Sequence, residues 1–168
     1  MYLNFAINQE VLNTSSRFEQ LQLKSSADSF LSVALSSRIK SQTNPPSVMA
    51  GLRVALKDNL HLEGVKTSVG NRAFYDTYPP QLQTAECIQK LVDFGAVIVG
   101  KTKLNSFGTW EEPTEYIDYQ APWNPRADGY QSPGGSSTGS ASAIGAYDWL
   151  DIAIGTDSKA TSMRFPPV

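Results

Sequence analysis

The chain has 168 residues, 40% of them hydrophobic, and a formal net charge of −2. That is enough for one domain with a sizeable core, and too apolar for wholesale disorder. The slightly acidic balance, without a basic stripe or a Lys/Arg cluster, argues against nucleic acid and against a membrane surface as partners. No apolar run approaches the ~18–20 residues of a membrane span. Residues 1–7 lack the basic start of a signal peptide. The one cysteine, Cys87, rules out an intrachain disulfide, which suits a reducing, cytoplasmic setting.

In chain order, residues 1–50 read as an N-terminal extension of helix and loop. Asp28 is placed to cap a helix through Phe30, Leu31, Ala34 and Leu35 to about Ile39. Pro45-Pro46 then marks a loop. The character changes at Gly51. Leu52 to Leu56 reads as a strand closing on Lys57, and Gly64 to Gly70 is rich in turn residues. Thr84 to Phe94 reads as a helix with Thr84 at its N-cap, Ile88, Leu91 and Val92 on its buried stripe and Cys87 packed on it. Gly95 follows as its stop.

Ala96 to Val99 is fully apolar, the pattern of a strand buried on both faces. Residues 111–131 form an aromatic- and proline-rich loop. A small-residue helix runs from Ser137 to about Tyr147, and Ile152 to Ile154 reads as another buried strand. Strands alternating with helices predict an α/β fold with a mixed, mainly parallel sheet flanked by helices.

Two stretches suggest chemistry of different classes. Gly95-Ala96-Val97-Ile98-Val99-Gly100-Lys101-Thr102 matches the phosphate-loop pattern G-x-x-x-x-G-K-[ST]. That motif works only as a loop between strand and helix. Here a helix precedes the first glycine, and Ala-Val-Ile-Val favours a strand, so nucleotide binding is the minor alternative. The second stretch is Ser132-Pro133-Gly134-Gly135-Ser136-Ser137-Thr138-Gly139-Ser140, a turn whose amides and hydroxyls can face a cleft.

Lys57, carried inward by an apolar strand, can act as a base only when burial makes it neutral. A serine of the Gly/Ser turn could then relay a proton to it from a nucleophilic hydroxyl further on. No His/Cys/Asp cluster has metal-ligand spacing, and this chemistry needs neither metal nor organic cofactor.

From Gly51 onward the chain resembles the amidase signature family. The resemblance rests on Val54-Ala55-Leu56-Lys57-Asp58-Asn59, on Gly64-Val65-Lys66-Thr67 with Gly70, and on the run from Gly95 to Thr102. Asn124-Pro125, the run from Gly134 to Ser140, and Gly155-Thr156-Asp157 complete it. It implies that residues 51–168 form part of an amidase domain acting on a small-molecule amide. It implies Lys57 as general base and Ser136 as bridging serine, with a cis peptide bond from Gly135.

The family places its nucleophile in Gly-Thr-Asp-x-Gly-Gly-Ser-Ile-Arg. Here the loop reads Gly155-Thr156-Asp157-Ser158-Lys159-Ala160-Thr161-Ser162-Met163-Arg164. Both glycines are absent and one residue is added. Counting forward from Gly155 puts the nucleophile at Thr161; counting back from Arg164 puts it at Ser162, which the chemistry favours. Lys159, Ala160 and Thr161 then occupy the turn whose amides bind the oxyanion. Their β-carbons stand where backbone must approach substrate or take φ > 0.

The resemblance also implies a much longer family domain. An amidase relay impaired in this chain is therefore expected. The competing reading is a non-catalytic remnant that binds a partner, or itself, through an exposed sheet edge.

Overall fold

The computed structural model describes residues 3–12, 15–21, 33, 35, 47–109 and 116–157. Their elements are β1 (Leu3–Leu12), β2 (Ser15–Leu21), β3 (Arg53–Lys57), α1 (Arg72–Thr77), α2 (Glu86–Asp93), β4 (Val97–Thr102), α3 (Thr138–Ala146) and β5 (Ile152–Ile154). The strands form one sheet in the order β2-β1-β4-β3-β5. β3 lies parallel to both β4 and β5, while β1 runs antiparallel to β2 and to β4. The mixed α/β architecture is the one the alternation of strands and helices predicts.

The two faces of the central strands enter two cores. Val54 and Leu56 of β3 and Ile98 of β4 join Leu62, Val65, Ile88, Val92, Ala96 and Phe18 on one side. Ala55 and Val99 join Ala143 and Leu150 on the other. α2 covers the first face and α3 the second, which is why β3 and β4 are continuously apolar rather than alternating. The register slips between Val54 and Ala55, which pair with Ile98 and Gly100.

Several expectations change in detail. Residues 3–12 and 15–21 lie within the stretch expected to be helix and loop, yet they form two strands that extend the sheet. Leu3, Phe5 and Ile7 alternate with other residues at the strand period, a pattern too short to stand out. The capped helix from Asp28 to Ile39 falls, apart from positions 33 and 35, outside the described residues. Thr84 does not cap α2: Ala85 holds that position, and the Thr84 hydroxyl accepts from the Glu63 amide at 3.0 Å. Cys87 is exposed rather than packed. Gly95 does stop α2, with φ of +89°. β5 is only half-buried, because it is the outer strand on its side of the described sheet.

The strand after α2 runs further than expected, through Gly100 and Lys101 to Thr102. That overturns the phosphate-loop alternative. The four residues between the glycines lie in or beside a buried strand, not a loop of converging amides. Lys101 itself is fully buried, with its Nζ 2.7 Å from Asp58 Oδ1.

Candidate active site

The C-terminal ends of β3, β4 and β5 meet the N-terminal half of α3. Open parallel sheets characteristically build their sites at such ends. α3 packs directly on the strands because its residues are small. A β-carbon on Gly139 would stand 2.4 Å from the backbone nitrogen and oxygen of Lys103, a spacing no side chain tolerates. Ser140 Oγ donates to the Ile154 carbonyl at 3.0 Å and lies 2.8 Å from Thr102 Oγ1. The hydroxyls on this helix thus satisfy polar groups where the strands end.

β3 ends by carrying Lys57 into this junction, where only 1% of it is exposed. Its Nζ lies 2.6 Å from Ser136 Oγ, 3.0 Å from Ser137 Oγ and 2.9 Å from the Thr156 carbonyl. Lys57 and Ser136, 79 positions apart in sequence, are therefore in direct contact. The Gly135–Ser136 peptide bond is cis, and Gly134 has φ of +81°. Gly155 also belongs to the fit: a β-carbon there would stand 2.8 Å from Ser137 Oγ.

Burial pushes the Lys57 ammonium down from its ordinary value to about 8, while the negative charge of Asp157 works in the opposite sense. The desolvation cost dominates, and among the described residues no carboxylate touches Nζ. The protonation state decides the direction of the hydrogen bonds. An ammonium donates to all three neighbours; a neutral amine has two protons and one lone pair. The Thr156 carbonyl can only accept. Ser137 can donate to that same carbonyl, 3.2 Å away. Ser136 is then the hydroxyl left to donate to a neutral Nζ. Lys57 and Ser136 can exchange a proton without moving.

Ser137 and Thr156 are the residues that sequence reasoning missed. Thr156 is itself held by Asn59, whose Nδ2 donates to its Oγ1 at 2.8 Å. The Ser136-Ser137 doublet was the available signal, but nothing in it tells how many hydroxyls reach the lysine. Ser162, the expected nucleophile, lies outside the described residues, as do Lys159, Ala160 and Thr161. Asp157, the last of the described residues, directly follows Thr156 in the Lys57 site. Among the described residues, no cluster of three His, Cys, Asp or Glu side chains could hold a metal ion. No helix among them is long and apolar enough to cross a membrane.

Comparison with known proteins gives a consistent result. The sequence model of the family called Amidase matches residues 12–167. The glutamyl-tRNA(Gln) amidotransferase A subunit of Sulfurisphaera tokodaii is 34% identical over 97% of this chain, and the chain spans 34% of that protein's length. Among solved structures, Kluyveromyces lactis allophanate hydrolase superposes with a TM-score of 0.54 at 32% identity, covering 71% of this chain and 19% of its own. A peptide amidase bound to the competitive inhibitor chymostatin gives 0.53 at 32% identity, over 65% of this chain and 22% of its own. The site at the strand ends lies within the matched region, and the chain belongs to the amidase family.

Proposed function

We propose that the chain carries the proton-relay half of an amide-hydrolysing site. In this reading Ser162 attacks the amide carbonyl, and Ser136 accepts its proton and passes its own to neutral Lys57. The same path returns a proton to the leaving amine, and water then releases the acyl group. The single observation that carries the reading is the 2.6 Å contact between a buried Lys57 Nζ and Ser136 Oγ, at a lysine that no carboxylate among the described residues touches. The similarity to a peptide amidase and an allophanate hydrolase points the same way. So does the similarity to a component of an amidotransferase.

We further propose that turnover is strongly impaired. Lys159 and Ala160 replace the two glycines of the oxyanion turn, and Thr161 adds a residue before Ser162. Losing one oxyanion donor typically costs about 10²–10³ in rate. The test is an assay of purified chain on several simple aryl and alkyl amides, beside Lys57→Ala and Ser162→Ala. A fourth protein combines Lys159→Gly and Ala160→Gly with deletion of Thr161. The reading expects near-background rates in the first three and clear turnover in the fourth, abolished by adding Lys57→Ala. A restored loop that stays inactive on every amide would favour the non-catalytic reading.

A further inference from the structure

A second buried lysine stands beside the relay. Lys101 and Asp58 are both fully buried, with Nζ 2.7 Å from Oδ1. Lys101 Nζ also donates to Thr67 Oγ1 at 2.9 Å. The other Asp58 oxygen accepts from the amides of Ser68 and Val69, at 2.8 and 3.1 Å, and from the Ser68 hydroxyl. One ion pair thus holds three successive residues, Thr67 to Val69.

That segment in turn grips the turn after β4. The Phe107 amide donates to the Val69 carbonyl at 2.8 Å, and Ser106 Oγ donates to the Gly70 carbonyl at 3.1 Å. The approach is close: a β-carbon on Gly70 would stand 2.5 Å from the Leu104 carbonyl oxygen. Val69 and Phe107 have φ of 50° and 55°, left-handed conformations that side-chain-bearing residues, β-branched ones above all, rarely adopt. Such conformations persist where the surroundings over-determine them. Here the Asp58 carboxylate holds the Val69 amide, and the Val69 carbonyl holds the Phe107 amide. The next residue, Gly108, faces Ser136 across the space that a side chain would fill. A β-carbon there would be 3.6 Å from Ser136 Oγ and 3.8 Å from Ser136 Cβ.

Resting on the relay reading above, we propose that Asp58 and Lys101 are positioning residues. Their buried ion pair clamps residues 67–70 and, through Val69 and Phe107, fixes the backbone of the Gly108 turn that faces Ser136, and so limits the access of water to Lys57. A pair that merely stabilised the sheet would affect all of β3 and β4 alike. A positioning pair acts first on the turn.

The experiment is amide hydrogen exchange by NMR on the full 168-residue chain. It compares wild type, Thr67→Val, and Asp58→Asn combined with Lys101→Met. The double variant replaces the pair with neutral groups of similar size and retains an acceptor for the loop amides. Thr67→Val leaves the ion pair in place and removes only one of the Lys101 contacts, so it decides the matter if the double variant does not fold.

The proposal expects the Val69 and Phe107 amides to exchange at least about tenfold faster in the double variant, and about threefold faster in Thr67→Val, while the ladder amides of β3 and β4 hold. In the same samples the Lys57 titration should move up towards that of an ordinary lysine as water reaches Nζ. Unchanged exchange at Val69 and Phe107, or equal acceleration throughout the sheet, would overturn it. Selective loosening of the turn around a wild-type Lys57 that titrates like a free lysine would uphold the clamp and count against the amide-hydrolysis reading instead.

Discussion

Lys57 and Lys101 sit on neighbouring parallel strands, Lys57 opposite Thr102 and Lys101 opposite Leu56. Both are essentially removed from solvent. They differ in what they touch. Lys101 has a carboxylate at 2.7 Å and a threonine hydroxyl. Burial pushes its ammonium down from the ordinary value, and the Asp58 charge opposes that. Lys57 has two serine hydroxyls and a carbonyl, and the charge of Asp157 opposes its burial. Burial is the larger influence on both ammoniums, and it pushes both down. What separates them is the partner: Lys101 has a carboxylate in contact that opposes the shift, whereas Lys57 faces hydroxyls with which a neutral amine can exchange a proton.

The contrast breaks most sharply when each lysine is truncated. Lys101→Met leaves Asp58 buried without its counter-charge and should cost about 3–5 kcal/mol of stability. Lys57→Met strands no carboxylate among the described residues, only neutral hydroxyls and a carbonyl that Ser137 can still reach, and should cost less than Lys101→Met. Urea unfolding of both variants beside wild type checks the ordering, which equal losses would refute.

Restoring the two glycines of the proposed oxyanion turn sharpens the comparison from the catalytic side. With Lys159→Gly, Ala160→Gly and Thr161 deleted, amide turnover should rise by about 10²–10³. The gain should vanish when Lys57→Met is added and survive, at reduced stability, when the Lys101 contact is weakened by Thr67→Val. Steady-state rates on an activated amide give the answer.

A smaller effect separates the two serines. Ser137→Ala removes a neutral acceptor from Lys57 and should cost about 0.5–1.5 kcal/mol of stability. It should leave the Ser136 contact, and any turnover of the restored protein, largely intact. Ser136→Ala should abolish that turnover. Thermal melts with parallel rate measurements distinguish them.

The meeting of Lys57 with the Gly/Ser turn was legible in part from local rules. An apolar strand ending in lysine carried Lys57 inward, and a Gly/Ser turn ahead of a small-residue helix offered hydroxyls to it; the choice of Ser136 among them came from the family resemblance. Gly95 after an amphipathic stripe ended α2. What was not legible depends on packing between distant segments. No local pattern says that Lys101, in a phosphate-loop look-alike, pairs with Asp58 across a strand junction. Nor does one say that Ser137 shares Lys57 with Ser136, or that Thr84 turns its hydroxyl to the Glu63 amide instead of capping a helix. β1 and β2 were missed for a related reason. Their alternation is short and interrupted by polar residues, and it becomes part of the sheet by pairing of β1 with β2 and with β4.

The central claim is that Lys57 is poised to be neutral, and its titration tests that directly. With lysine Cε labelled with ¹³C and Lys57 assigned through Lys57→Met, its resonance should titrate near the expected value of about 8. The unfolded chain would hold that proton up to about 10.4. Between those two values the unfolded state binds more protons, so stability should rise with pH across that window. The burial penalty should be fully present below it. A Lys57 midpoint near 8, with stability climbing from there towards pH 10, is the result the account predicts. A midpoint at the ordinary lysine value, with no such climb, would contradict it.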